Sequence, residues 1–169
     1  MCGVLHDARC FLHRTSARIM YLRSENVSLV HTSTWDRTSN FDDLRGRIQV
    51  SPCGKTRCKL RKGTDIHVHF RFNPSDEVKQ LSNSVWATIG GIPLPFPGVD
   101  GSSACEHVSN AADDSSAPCP LAPGKEYKYE NSFHVEDFYP EVGMRVHWGL
   151  NDGKKDVICF EVPAVIVKA

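Results

Sequence analysis

The sequence predicts an all-β fold of two antiparallel sheets packed face to face. Three observations carry this. Apolar and polar residues alternate with a period of two along six or seven stretches, as in strands with one buried and one wet face. Proline, glycine and Asn-Asp-Gly turn signals separate those stretches, and such punctuation marks hairpins and strand ends. No stretch sustains a helical period. Short alternating strands with cysteines in the loops between them read as a sandwich.

The first 38 residues stand apart as a poorly defined N-terminal segment, rich in Arg and Ser and poor in acids up to Glu25. They hold no run of seven apolar residues of the kind that forms a signal-peptide core. Asn26-Val27-Ser28 is a glycosylation sequon if the chain enters the secretory route. The folded unit is expected over 39–169.

Ile48 and Val50 alternate with Arg47 and Gln49 until Ser51-Pro52 ends the run. The clearest strand is Asp65–Phe72, with Ile66, Val68, Phe70 and Phe72 on one face and Asp65, His67, His69 and Arg71 on the other. Val85, Ala87 and Ile89 form a shorter one. It leads into GGIPLPFPG, Gly90 to Gly98, where three prolines alternate with Ile92, Leu94 and Phe96. Proline fixes φ and removes a donor, so this run forms a stiff extended edge or loop, not a helix or a central strand. It is either a rigid cover over a core or the lip of an apolar cavity.

Tyr127, Tyr129, Phe133 and Val135 alternate with Lys128, Glu130, Ser132 and His134 before Phe138-Tyr139-Pro140 turns the chain. Val142, Met144, Val146, Trp148 and Leu150 make the next inward row. Asn151-Asp152-Gly153 predicts a hairpin, and Val157–Val167 returns with Phe160, Val162, Ala164 and Ile166 on one face.

At 169 residues the chain suits one domain with a substantial core. Twenty basic and twenty acidic residues give a formal net charge of +0. That balance argues against general affinity for nucleic acid or anionic membranes, which require a basic face. The apolar run Val162–Ile166 is far too short to span a bilayer. Cys53 and Cys58 bracket a tight turn, and Cys105 and Cys119 bracket a polar loop. Neither pair has the spacing of a common zinc site, so both read as loop-closing disulfides of an oxidising compartment. Seven cysteines leave at least one unpaired or bridged elsewhere.

Other chemistries have little support. His67 and His69 share a wet strand face, with His147 as a third histidine, but no acidic or thiol ligand stands at a matching spacing, so no metal is expected. No nucleophile elbow, carboxylate pair or phosphate loop is present, and neither catalysis nor a cofactor is expected. The inward aromatics Phe70, Phe72, Phe133, Trp148 and Phe160 fit a filled core as well as a hollow one. A filled core would suit a secreted recognition module that binds a protein through its loops.

In order, SPC, KTRCKLRKGT, GGIPLPFPGVDG, CPLAPGKEYKY, EDFYPEVGMRVHWGLNDG and VICFEVPAVIV resemble the Niemann–Pick type C2-like branch of the ML, or lipid-recognition, domain family, its arthropod members above all. The resemblance runs from about Arg45 to Lys168. It implies an immunoglobulin-like sandwich with an apolar cavity between splayed sheets, binding and transferring sterol or a related lipid without bond-breaking chemistry. By motif it places the entrance at Phe96, Val135 and Tyr139, and the deeper wall at Val142, Met144, Val146, Trp148 and Phe160. It also implies a secreted or lysosomal/endosomal monomer that receives or delivers lipid at a membrane sterol-transfer protein, with transient membrane contact. The arthropod likeness extends the ligand range to fatty acids and microbial lipids in chemosensing or immunity. One departure stands out. The family's third disulfide joins a cysteine before the first strand to the position of Cys159, but here that region reads TSNFDDLRG. Cys159 is then free, or reaches Cys2 or Cys10.

Overall fold

The computed structural model describes residues 30–31, 47–53 and 57–169. The Asn26 sequon, Cys2 and Cys10, the TSNFDDLRG segment and the 54–56 turn lie outside the described residues. The described strands are β1 (Val30–His31), β2 (Ile48–Ser51), β3 (Cys58–Arg61), β4 (Asp65–Phe72), β5 (Ser82–Ile89), β6 (Ile92–Pro95), β7 (Val108–Asn110), β8 (Tyr127–His134), β9 (Gly143–Asn151) and β10 (Asp156–Val167). A single 3-10 turn at Cys105–His107 precedes β7. No described helix is long and apolar enough to cross a membrane.

Alternation decides which strands are central. One sheet runs β2-β4-β8-β7, and the other runs β1-β10-β9-β5-β6 with β3 also paired to β10. The alternating strand expected at Asp65–Phe72 is β4, and its apolar row is fully buried while Asp65, His67 and Arg71 stay exposed. Phe70 stacks on Tyr129 of β8 with ring centroids 4.8 Å apart and meets Phe160 of β10 edge-on at 5.3 Å. These three rings pack the two sheets together beside the space between them. Burying each contributes roughly 1.5–3 kcal/mol.

The proline run forms the edge of the second sheet. Gly90 and Gly91 have φ of +58° and +85° between the paired residues Ile89 and Ile92. Two successive positive φ values make the tight turn that matches strand twist, and glycine adopts them without strain. The prolines of β6 are tolerated because an edge strand pairs on one side only. At the other hairpin, Asp152 Oδ1 accepts from the backbone N–H of Lys154 and of Lys155, at 2.8 Å each, with Gly153 at a φ of +91°.

Two features depart from the expectation. The pairing of β3 with β10 is parallel, whereas every other paired set of strands is antiparallel. A parallel pair needs a long connection, and nearly the whole domain lies between these two strands. β3 itself hides in the basic run KTRCKLRK, yet Cys58 and Leu60 are buried while Lys59 and Arg61 are exposed. Disulfides join Cys53 to Cys58 and Cys105 to Cys119. Cys159 is also disulfide-bonded, so the free-thiol alternative is set aside.

Candidate functional site

A cavity of about 20 Å³ lies between the sheets. Val50, Ile66, Val68 and Phe133 line it from the β2-β4-β8 side. Cys58, Leu60, Val146, Trp148, Phe160, Val162 and Ala164 line it from the other. All of these side chains are apolar except for the indole nitrogen of Trp148. The disulfide-bonded Cys58 belongs to the wall, so the Cys53–Cys58 bridge ties the cavity to the loop after β2.

This volume corrects the expectation of sheets held widely apart. The space accommodates about one water molecule, against roughly 300–1,000 Å³ for pockets that enclose larger organic ligands. Close packing explains the difference, because apolar side chains collapse onto any void they can reach. Yet no backbone ladder joins the two sheets across this space. Contacts between them here are non-directional side-chain packing, which another apolar body can replace.

The expected site residues fall into two groups. Val146, Trp148 and Phe160 line the cavity. Phe96, Val135, Tyr139, Val142 and Met144 do not form its wall. Phe96, buried just after β6, packs on Phe133 with centroids 5.0 Å apart and meets Tyr139 edge-on at 6.4 Å. Phe133 lines the cavity, so Phe96 and Tyr139 form a second layer outside it. Val135 is buried beyond the end of β8, and its backbone accepts from Gly63 N–H at 2.7 Å and donates to Thr64 at 2.9 Å. Val142 is half-buried before β9, and Met144 is buried. Phe133 was legible as an inward residue, but its place between cavity and outer layer depends on Phe96, from the segment after β6, packing onto it from the other sheet. Val50, Cys58 and Leu60 come from the short strands that alternation marks weakly.

Beyond the outer layer the surface is apolar. Ile92 is 62% exposed, Leu94 47% and Phe138 79%. In register, Leu94 sits opposite the buried Ala87, so it projects on the inner side of its sheet, where no strand covers it. Phe138 packs edge-on against Tyr139 at 5.0 Å. Burial, then the neighbouring Glu136 charge, raises the Tyr139 hydroxyl above its ordinary pKa. Asp65 bonds to His134 Nδ1 at 2.7 Å and raises its pKa, with Glu136 and Asp137 adding to the effect.

A polar cluster stands behind Trp148. Tyr129, 0% exposed, donates its hydroxyl proton to Asn83 Oδ1 and accepts from Asn131 Nδ2 at 2.8 Å. Asn83 Nδ2 donates to Ser102 Oγ at 2.9 Å. Burial pushes the phenol pKa up to about 12, partly offset by hydrogen bonds with Asn131, Trp148 and Asn83, so the hydroxyl stays neutral at any physiological pH. The outer face of the other sheet carries a second group. Trp86 stacks on the buried His147 with centroids 3.6 Å apart, and Glu161 lies 3.8 Å from His147 Nδ1 and 3.1 Å from Arg145. Among the described residues no cluster of metal-ligand type is present.

Residues 43–166 match the ML domain. The chain belongs to the ML domain family. A zebrafish (Danio rerio) member described as NPC intracellular cholesterol transporter 2 is 30% identical over 122 residues, covering 72% of this chain and 76% of the relative. Its Bos taurus counterpart is 31% identical over 117 residues, covering 69% and 72%. The ecdysteroid-regulated 16 kDa protein of Manduca sexta is 27% identical over 115 residues, covering 68% and 74%. Among solved structures, a Niemann-Pick type C2 protein from the Japanese carpenter ant superposes with a TM-score of 0.60 at 28% identity, covering 71% of this chain and 89% of the ant chain. The two-sheet sandwich of this ML domain is thus an architecture seen in a solved relative.

Proposed function

We propose that this chain binds a sterol or related apolar lipid between its sheets and passes it on without chemical change. The observation that carries the reading is the apolar cavity, walled by both sheets and covered by Phe96, Phe133 and Tyr139. Relatives described as cholesterol transporters support the ligand class. Binding proceeds by parting of the sheets around the cavity, since a cavity of about 20 Å³ must grow more than tenfold. Burying several hundred Å² of sterol at ~25 cal/mol per Å² gives roughly 10 kcal/mol before immobilisation and sheet separation are subtracted. Phe96 and Tyr139 swing aside for entry past Val135, and Val142 and Met144 join the deeper wall as the space grows.

Such binding has little directional content, so fatty acids and other apolar molecules compete for the same space. Ile92, Leu94 and Phe138 form an exposed rim suited to transient contact with a membrane or a membrane sterol-transfer protein. The disulfides fit a secreted or lysosomal setting, and the chain acts as a monomer. Native mass spectrometry after delipidation and incubation with cholesterol tests the reading. A one-to-one adduct is expected; no adduct with sterol or fatty acid overturns it.

A further inference from the structure

Every residue of the cavity wall is buried except Val50, which is half-buried. Val50 pairs with Val68, another wall residue, so its side chain points between the sheets. Among the described residues β2 pairs with β4 alone, so its other edge stands at the flank of the sandwich. Across the cavity from it is β3, which pairs with β10 alone and turns Cys58 and Leu60 into the same space. No described backbone hydrogen bond joins β2 to β3. The Cys53–Cys58 bridge links them instead, with Cα atoms 4.5 Å apart and Cys53 half-buried. The cavity thus runs from Phe133, backed by Phe96, to a seam at the flank where widening breaks no described strand pairing.

We propose that this seam is a second opening of the cavity, through which the tail of a long-chain lipid runs out past Val50 while its head stays on the Phe96 and Tyr139 side. Apolar attraction grows with the area removed from water, so a chain lying in the seam gains by covering Val50 and the bridge. The bridge also limits how far the seam widens, which suits a narrow polymethylene chain and not the fused rings of a sterol. The inference rests on the carrier reading above and adds a ligand class to it: lipids whose acyl chain is longer than the enclosed space.

Displacement of bound dehydroergosterol from the delipidated full chain tests this with two monounsaturated acids, erucate and the shorter palmitoleate. Erucate is expected to displace the probe at least as well as palmitoleate. Val50→Trp, which fills the seam, is expected to lower erucate affinity about tenfold more than palmitoleate affinity, the cost of leaving a few methylenes in water. If Val50→Trp does not fold or binds neither acid, a fatty acid of erucate length with a diazirine at its tail end, irradiated on the wild-type chain, is expected to label Val50, Ser51, Pro52 or Cys53. Weaker displacement by erucate than by palmitoleate, equal losses of the two acids in Val50→Trp, or labelling confined to the Phe96 and Tyr139 side overturns the second opening alone. So does a wild-type chain that binds dehydroergosterol but neither acid. Failure to bind dehydroergosterol and both acids overturns the carrier reading and the second opening together.

Discussion

Phe96 follows an edge strand of one sheet and Phe133 lies in a strand of the other, yet their rings meet with centroids 5.0 Å apart. This contact joins the two layers at the end of the sandwich where the cavity lies. It also has the right character for a movable cover, since aromatic contacts are non-covalent and made by side chains alone. Next to the cavity the layers are also held by Phe70, Tyr129 and the cavity-lining Phe160 together with the Tyr129–Asn83 bond, which joins β8 to β5 across the core. The cavity is therefore bounded on one side by the hydrogen-bonded Tyr129–Asn83 link and on the other by ring contacts alone.

The cover should matter more for lipid exchange than for folding. Phe96→Ala combined with Tyr139→Ala is expected to speed release of bound dehydroergosterol at least tenfold. The loss of stability should fall below the roughly 3–5 kcal/mol typical of a fully buried Phe→Ala change, because both residues sit at the rim. Stopped-flow transfer to liposomes and thermal melting measure the two effects. Unchanged release would place the entrance elsewhere.

Filling the cavity should block binding while the fold survives. Ala164 is buried in the wall, facing Val50, Ile66 and Val68 across the space. Ala164→Leu is expected to abolish the one-to-one cholesterol adduct at a stability cost of about 1–3 kcal/mol for overpacking. Native mass spectrometry beside a urea melt reads both; a folded variant that still takes up cholesterol would rule out this cavity as the site.

The two described disulfides should behave differently. Cys105–Cys119 spans a sequence separation of 14 away from the cavity, and closing a loop of that size is worth about 3 kcal/mol in the chain-entropy account. Replacing both by serine should lower the melting temperature and leave lipid affinity alone. Cys58 lines the cavity, so serine at Cys53 and Cys58 should weaken lipid binding as well as stability. Equal binding losses in the two double variants would show that the bridges act on stability alone.

Two ion pairs should give pH dependence of opposite sign. The His134 pKa is raised above 6.5 by Asp65, so its contribution is complete below pH 6.5 and disappears as pH rises through the folded-state pKa. Glu161 is lowered below 4.5 by His147 and then Arg145; its contribution is present above pH 4.5 and is lost as pH falls through the folded-state pKa. The melting-temperature deficit of His134→Gln should therefore shrink on going from pH 5 to pH 8, and that of Glu161→Gln should shrink on going from pH 6 to pH 3. Deficits that track each other would mean that neither pair has the assigned role. Both effects are small because the groups are at least partly exposed.

Much of the fold was legible because a half-buried strand repeats every two residues. That rule located β4, β5, β8, β9 and β10 and the inward faces of Phe70, Trp148 and Phe160. It failed for β3, where two buried residues among lysines and arginines are too few to make a pattern, and for β7, which is three residues long. The Gly90–Gly98 run was readable as an edge because proline cannot sit in a central strand, and Gly90-Gly91 supplied the turn.

By itself, then, the sequence determined the strands, the faces they bury, the loop cysteines and the family likeness, all of which depend on residues close together along the chain. Only the tertiary structure decided that the layers touch through Phe96 and Phe133, that the space between them is about 20 Å³, and that Trp148 of one sheet meets Tyr129 of the other edge-on. Those facts depend on how far apart two sheets settle. That distance is set by the mutual packing of side chains from distant strands, which a period of two records for each strand separately and not for the pair.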